Sequence, residues 1–121
     1  MTDHELERLV QRFADCVMAQ ARAIYVGHVS KNDEFGDGYV AAVEQLFAMG
    51  DKGRAALSRL FRHEEAQVRV AAAAWLLRSH YNEARALLEA EGKHAGIVGF
   101  QAQQALLRWD SGEWQLDPSD T

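Results

Sequence analysis

Val68-Arg69-Val70-Ala71-Ala72-Ala73-Ala74-Trp75-Leu76-Leu77 is the stretch whose reading decides the fold. Val68, Ala71, Ala72, Trp75 and Leu76 recur at three- and four-residue steps and form one face of a helix, while Val70, Ala73, Ala74 and Leu77 fill the other side. A helix that is apolar nearly all round must be covered by neighbours on more than one side, and its alanines let those neighbours approach closely. The segment is therefore expected at the centre of the fold, with Trp75 in the core. On that reading Trp75→Ala costs about 3 kcal/mol or more in an equilibrium unfolding measurement.

Single-faced stripes surround this segment. Leu6, Leu9, Val10, Phe13, Cys16, Val17, Ala21 and Ile24 line one side of a helix from about residue 3 to residue 26, and Thr2-Asp3-His4-Glu5 has the form of a capping box at its start. Phe35, Tyr39, Ala42, Val43, Leu46 and Phe47 keep helical spacing, but Gly36 and Gly38 cost about 1 kcal/mol each relative to alanine, so the second helix is expected from about residue 39. Gly50 and Asp51 separate it from a third helix running to about Arg62 with Leu57, Leu60 and Phe61 inward. His63-Glu64-Glu65 is a polar break before the central helix. Ala84, Leu87 and Leu88 mark a fifth helix ending before Gly92, and Ile97, Phe100, Gln103 or Gln104, Leu107 and Trp109 mark a sixth. No stretch sustains the two-residue alternation of a half-buried strand. The reading is all-α, with five or six antiparallel helices joined by short loops.

With 121 residues, 48% of them hydrophobic, the chain is the size of one domain spanning residues 1–121. From Asp110 onward there are four acids, no bases and the single proline, Pro118, so 110–121 is expected to be a partly ordered tail. A net charge of −5 disfavours a broad electrostatic hold on nucleic acid or on an anionic membrane; the expected partner is another protein, and a basic one. The apolar run at residues 70–77 is far shorter than the roughly 18 residues that cross a bilayer, and the acidic N-terminal segment has no apolar stretch behind it. This reading places the protein in the cytoplasm.

Candidate chemistry is sparse. His4, His28, His63, His80 and His94 are dispersed, with no spacing that puts two imidazoles on one helix face, and a lone Cys16 supports neither an internal disulfide nor a cysteine-based zinc site. Cys16 lies on an apolar stripe and reads as a structural thiol. No catalytic residue set, metal site or cofactor motif emerges, and the chain reads as a non-enzyme. Arg69 is suited to a ligand carboxylate or to a structural bond with the preceding turn. The most informative charge feature runs from Asn32 to Asp51, which holds Asp33, Glu34, Asp37, Glu44 and Asp51 and no base, a local charge of −5. It reads either as a solvated helix face or as a surface that steers a basic partner. On the second reading Asp33, Glu34, Asp37 and Glu44 supply on-rate and specificity, while Tyr39 or Trp114 supplies buried area.

Residues 55–62, 63–67 and 68–77 together resemble one HEAT repeat: a leucine-rich first helix, a turn, and a second helix opening with Val68-Arg69 and continuing through small residues. A weaker second unit spans about 82–109. The intrarepeat turn of HEAT repeats commonly carries an acid and often a proline, from which His63-Glu64-Glu65 departs. The resemblance implies a right-handed HEAT-like layer, with the 1–26 helix covering one side. More narrowly, residues 40–118 resemble a small bacterial family of HEAT-like proteins of unknown function. The resembling residues are Gly50-Asp51 before Arg54-Ala55-Ala56-Leu57, then Gln67-Val68-Arg69 with Ala71-Ala72, then Glu83-Ala84-Arg85-Ala86-Leu87, and a closing Asp110-Ser111-Gly112-Glu113-Trp114. Some relatives lie beside polymorphic toxin genes, so the resemblance implies an immunity protein that binds and blocks a toxin. The alternative is a structural adaptor or a subunit of a larger bacterial assembly. A HEAT-like DNA glycosylase would need a basic groove, and the mixture of 7 bases with 9 acids in residues 1–60, and 6 with 9 in 61–121, provides none.

Overall fold

The computed structural model describes residues 3–25, 34–114 and 116, except for the side chains of 22–25 and 34–37. The described residues form six helices and no strand: α1 (Asp3–Tyr25), α2 (Glu34–Ala48), α3 (Asp51–Ser58), α4 (Ala66–Trp75), α5 (Tyr81–Glu91) and α6 (Ile97–Ser111), with a 3-10 turn at Arg59–Arg62 continuing α3. The all-α reading is correct. Thr2 of the expected capping box lies outside the described residues. Contacts gather into two units, Met1–Leu60 and Phe61–Thr121.

In the first unit α1 packs on α2, α2 on α3, and α1 on α3. Leu6, Leu9, Phe13, Ala14 and Val17 are buried from α1, and Ala42, Val43 and Leu46 from α2, along the stripes their spacing defines. Cys16 is half-buried, and the Tyr39 ring stands edge-on to Phe13 with 5.7 Å between centroids. The second helix begins at Glu34, five residues before the expected start, despite its glycines. Close packing explains Gly38: a Cβ there would sit 2.8 Å from the Cys16 sulfur, so a side chain would push α1 and α2 apart. Gly53 in α3 is under a stronger constraint, because a Cβ at that position would overlap the backbone carbonyl of Leu46. Tertiary packing here overrides helix propensity.

In the second unit α4 packs against both α5 and α6, which also pack on each other. Val70, Ala73 and Leu77 meet Ala84 and Leu88 of α5 and Ala102 of α6 in one buried cluster. Val68, Ala72 and Leu76 on the opposite edge of α4 are also buried, so the segment is enclosed as its composition requires. Trp75 corrects one expectation. It is half-buried at the last residue of α4 and lies outside the buried core, because the sides of the helix that are covered most tightly are lined by valine, alanine and leucine. Truncation of Trp75 should therefore cost less than the 3 kcal/mol a core tryptophan implies.

The sixth helix has a distinct inner face. Its inner side is Val98, Gly99, Ala102, Ala105, Leu106 and Trp109, whereas Ile97, Phe100 and Leu107, which mark the helix in the sequence, are 48%, 60% and 60% exposed. Small residues fit the inner face: Ala102 is fully buried against α4 and α5, and a Cβ on Gly99 would overlap the carbonyl of His94 in the loop that leads into α6.

Gly53→Ala separates packing from propensity. Propensity alone would make the substitution stabilising by about 1 kcal/mol. Overlap with the Leu46 carbonyl makes it destabilising by about 3 kcal/mol, seen as a lower midpoint in urea unfolding.

Candidate functional site

In the second unit the side chains of Arg69 and Arg85 hold helices to each other. Arg69, one turn into α4, donates to the backbone carbonyls of His63 at 2.7 Å and Glu64 at 3.1 Å, and to Glu91 Oε1 at 2.9 Å. Its guanidinium thereby ties the 63–65 turn to the end of α5, the structural role that the spacing allows. Within that turn the Glu65 amide donates to His63 Nδ1 at 3.0 Å, which fixes the imidazole against the turn backbone. Among the described residues no group of three or more His, Cys, Asp and Glu is placed to hold a metal ion.

Arg85 on α5 reaches α6. Its two terminal nitrogens donate to the two oxygens of Asp110 at 2.8 and 3.2 Å, Glu89 lies 3.7 Å from its Nε, and the Tyr81 ring lies 5.8 Å from its Cζ. The hydrogen bonds from Arg85 hold the Asp110 carboxyl below its ordinary range, and those to Asp110 raise the Arg85 guanidinium. Two residues further on, Gly112 closes α6 in the left-handed conformation, φ 81°, and the amides of Glu113 and Trp114 donate back to the Arg108 carbonyl. That reversal brings Trp114 onto Trp109, 5.1 Å between centroids, with its indole N–H donating 2.8 Å to the Ala74 carbonyl of α4. The Asp-Ser-Gly-Glu-Trp segment is thus a closing clasp in which an ion pair, a left-handed cap and a docked indole act in sequence.

Trp114, expected on a partner surface, is half-buried and packs against the core of its own unit. Of the other residues expected there, Glu44 is exposed on α2 and Tyr39 is half-buried in the packing of α1 with α2. Asp33 and the side chains of Glu34 and Asp37 lie outside the described residues. Asp51 is exposed in the first turn of α3, where its charge complements the helix dipole. Sequence reasoning missed the outward stripe of Ile97, Phe100 and Leu107. Its signal was present in the competing run of small residues, Gly99, Ala102 and Ala105, at the same helical spacing.

No family model matches this chain, nor does any curated protein at a significant level. Among solved structures it is similar to the protein RPA1889 from Rhodopseudomonas palustris CGA009, with a TM-score of 0.77 and 27% identity over 98% of this chain and 95% of that one. The likeness supports the all-α fold along nearly the whole length. No described helix is long and apolar enough to cross a membrane.

Asp110→Asn tests the clasp. A carboxyl held below its ordinary range contributes stability that is present above that range and lost as pH falls through the lowered value. The variant should unfold at lower urea than the natural protein at pH 7, and the gap should close as the solution is acidified.

Proposed function

We propose that the chain is a non-catalytic protein-binding module, an immunity protein of the cytoplasm that occupies and sterically blocks a cognate, cationic toxin domain. The carrying observation is the acidic segment from Asn32 to Asp51, whose five carboxylates and absence of bases concentrate a charge equal to that of the whole chain. Glu44 and Asp51, described within it, are exposed. A nuclease toxin needs a basic surface to hold phosphates, and an acidic face competes for that surface and accelerates encounter. The HEAT-like character of residues 55–77, and with it the kinship to proteins beside toxin genes, belongs to the same proposal. Binding rather than chemistry is further supported by the charged pairs Arg69–Glu91 and Arg85–Asp110, which are engaged in joining helices. The outward apolar side chains of α6 favour a second reading, a structural adaptor or subunit of a larger bacterial assembly.

Co-expression with the product of the adjacent gene decides between them. Under the immunity reading a basic toxin co-purifies, and association slows as salt is raised. The quadruple Asp33/Glu34/Asp37/Glu44→Ala variant then associates at least tenfold more slowly at low salt. An unchanged association rate contradicts the acidic-face mechanism, and co-purification with assembly components favours the adaptor.

A further inference from the structure

Trp114 sits at the end of a short segment with a hinge at its base. Gly112 has φ 81°, a conformation that side chains disfavour, and a Cβ there would meet nothing within 4 Å, so the residue is glycine for its backbone angle and not for close packing. Beyond it the amides of Glu113 and Trp114 share one acceptor, the Arg108 carbonyl, at 2.8 and 3.0 Å. The half-buried indole donates to the Ala74 carbonyl in the last turn of α4 and stands at 71° to the Trp109 ring. The buried cluster of Val70, Ala73, Leu77, Ala84, Leu88 and Ala102 excludes Trp114, which packs against it from outside. Rotation at Gly112 alone breaks these three hydrogen bonds and the ring contact. It leaves in place the cluster, the Arg85–Asp110 pair and the helical bonds of α6, the marks of a segment that opens at less than the cost of global unfolding.

We propose that Gly112–Trp114 is a hinged strap that opens independently of the unit it closes, and that the seat it vacates binds an indole-bearing side chain of a partner protein. The chemistry of the seat is read from its occupant. It offers one backbone acceptor, the Ala74 carbonyl, and beside it the Trp109 ring, which itself packs against Tyr81 at 5.5 Å between centroids. A phenyl ring would meet Trp109 and leave the carbonyl without a donor, and a phenol carries its donor at the far tip of the ring. An indole carries the N–H along its edge and satisfies both at once. Trp114 is thus an internal ligand, and closure lowers the apparent affinity of the seat for an outside indole in proportion to the fraction of molecules that are open. The acidic segment at 32–51 takes no part in this site, which stands whether or not the partner is a toxin.

Hydrogen exchange in the natural full-length chain, followed by NMR, tests the opening without any variant. The protection factor of the Trp114 indole N–H should lie at least a hundredfold below those of the Leu88 and Ala102 amides, and low concentrations of urea should leave it unchanged. Equal protection at the three groups, falling together in urea, overturns the strap. The seat is tested with free indole on Trp114→Ala, in which it is empty. Indole should raise the urea midpoint of that variant and leave the natural protein, whose seat is filled, nearly unchanged. The analogue 1-methylindole, which has the ring without the donor, should bind the variant at least tenfold more weakly. No rise with indole, or an equal rise with both compounds, overturns the seat.

Discussion

Burial of both long edges of α4 is the constraint on which the second unit depends. The helix carries Val68 and Ala72 along one edge and Val70 and Ala73 along the other, and Leu76 and Leu77 just past its end extend both edges, all of them buried. Enclosure on that scale leaves little room between backbones. The facing helices consequently present alanine: Ala84 from α5 and Ala102 from α6. The first unit obeys the same rule through Gly38 and Gly53, where a side chain would meet a neighbouring helix. Close-packed interiors tolerate neither the extra methyl nor the missing one, so small residues at these positions are as specific as large ones elsewhere.

Such tight packing determines where the polar groups go. The turn before α4 is tied down by Arg69, which takes up two backbone carbonyls and Glu91, and the far end of the unit is fastened by Arg85 and Asp110 with the docked Trp114. Among the described residues no buried side-chain nitrogen or oxygen lacks a partner. The enclosure of α4 also explains the outward apolar stripe. Once α6 turns Gly99, Ala102 and Ala105 inward, its larger residues Ile97, Phe100 and Leu107 have only solvent or another molecule to meet.

Much of this architecture is legible in the sequence, for identifiable reasons. The stripe of α1 is unambiguous because only one of its faces is apolar, and Leu6, Leu9, Phe13 and Val17 are buried as read. The enclosure of α4, the break at 63–65 and the structural use of Arg69 follow equally from local pattern. The face of α6 is not legible from hydrophobicity alone, since both sides are apolar and the bulkier side is the one left outside. The start of α2 is obscured because Gly38 lowers helix propensity for a reason that resides in Cys16, more than twenty residues away. Of the residues read as a binding surface, Glu44 is exposed and Trp114 is held half-buried against the core by a bond to Ala74, a contact that no periodicity encodes.

Amide hydrogen exchange followed residue by residue tests the central place of α4 most directly. Exchange protection reports the free energy of the opening that exposes each amide, and helices enclosed on two sides open only with the whole unit. Within the second unit, the amides of Ala72 to Leu76 should exchange most slowly, with an opening free energy equal to that of global unfolding from urea titration. Faster exchange there than in the exposed-faced helix α6 would contradict the account.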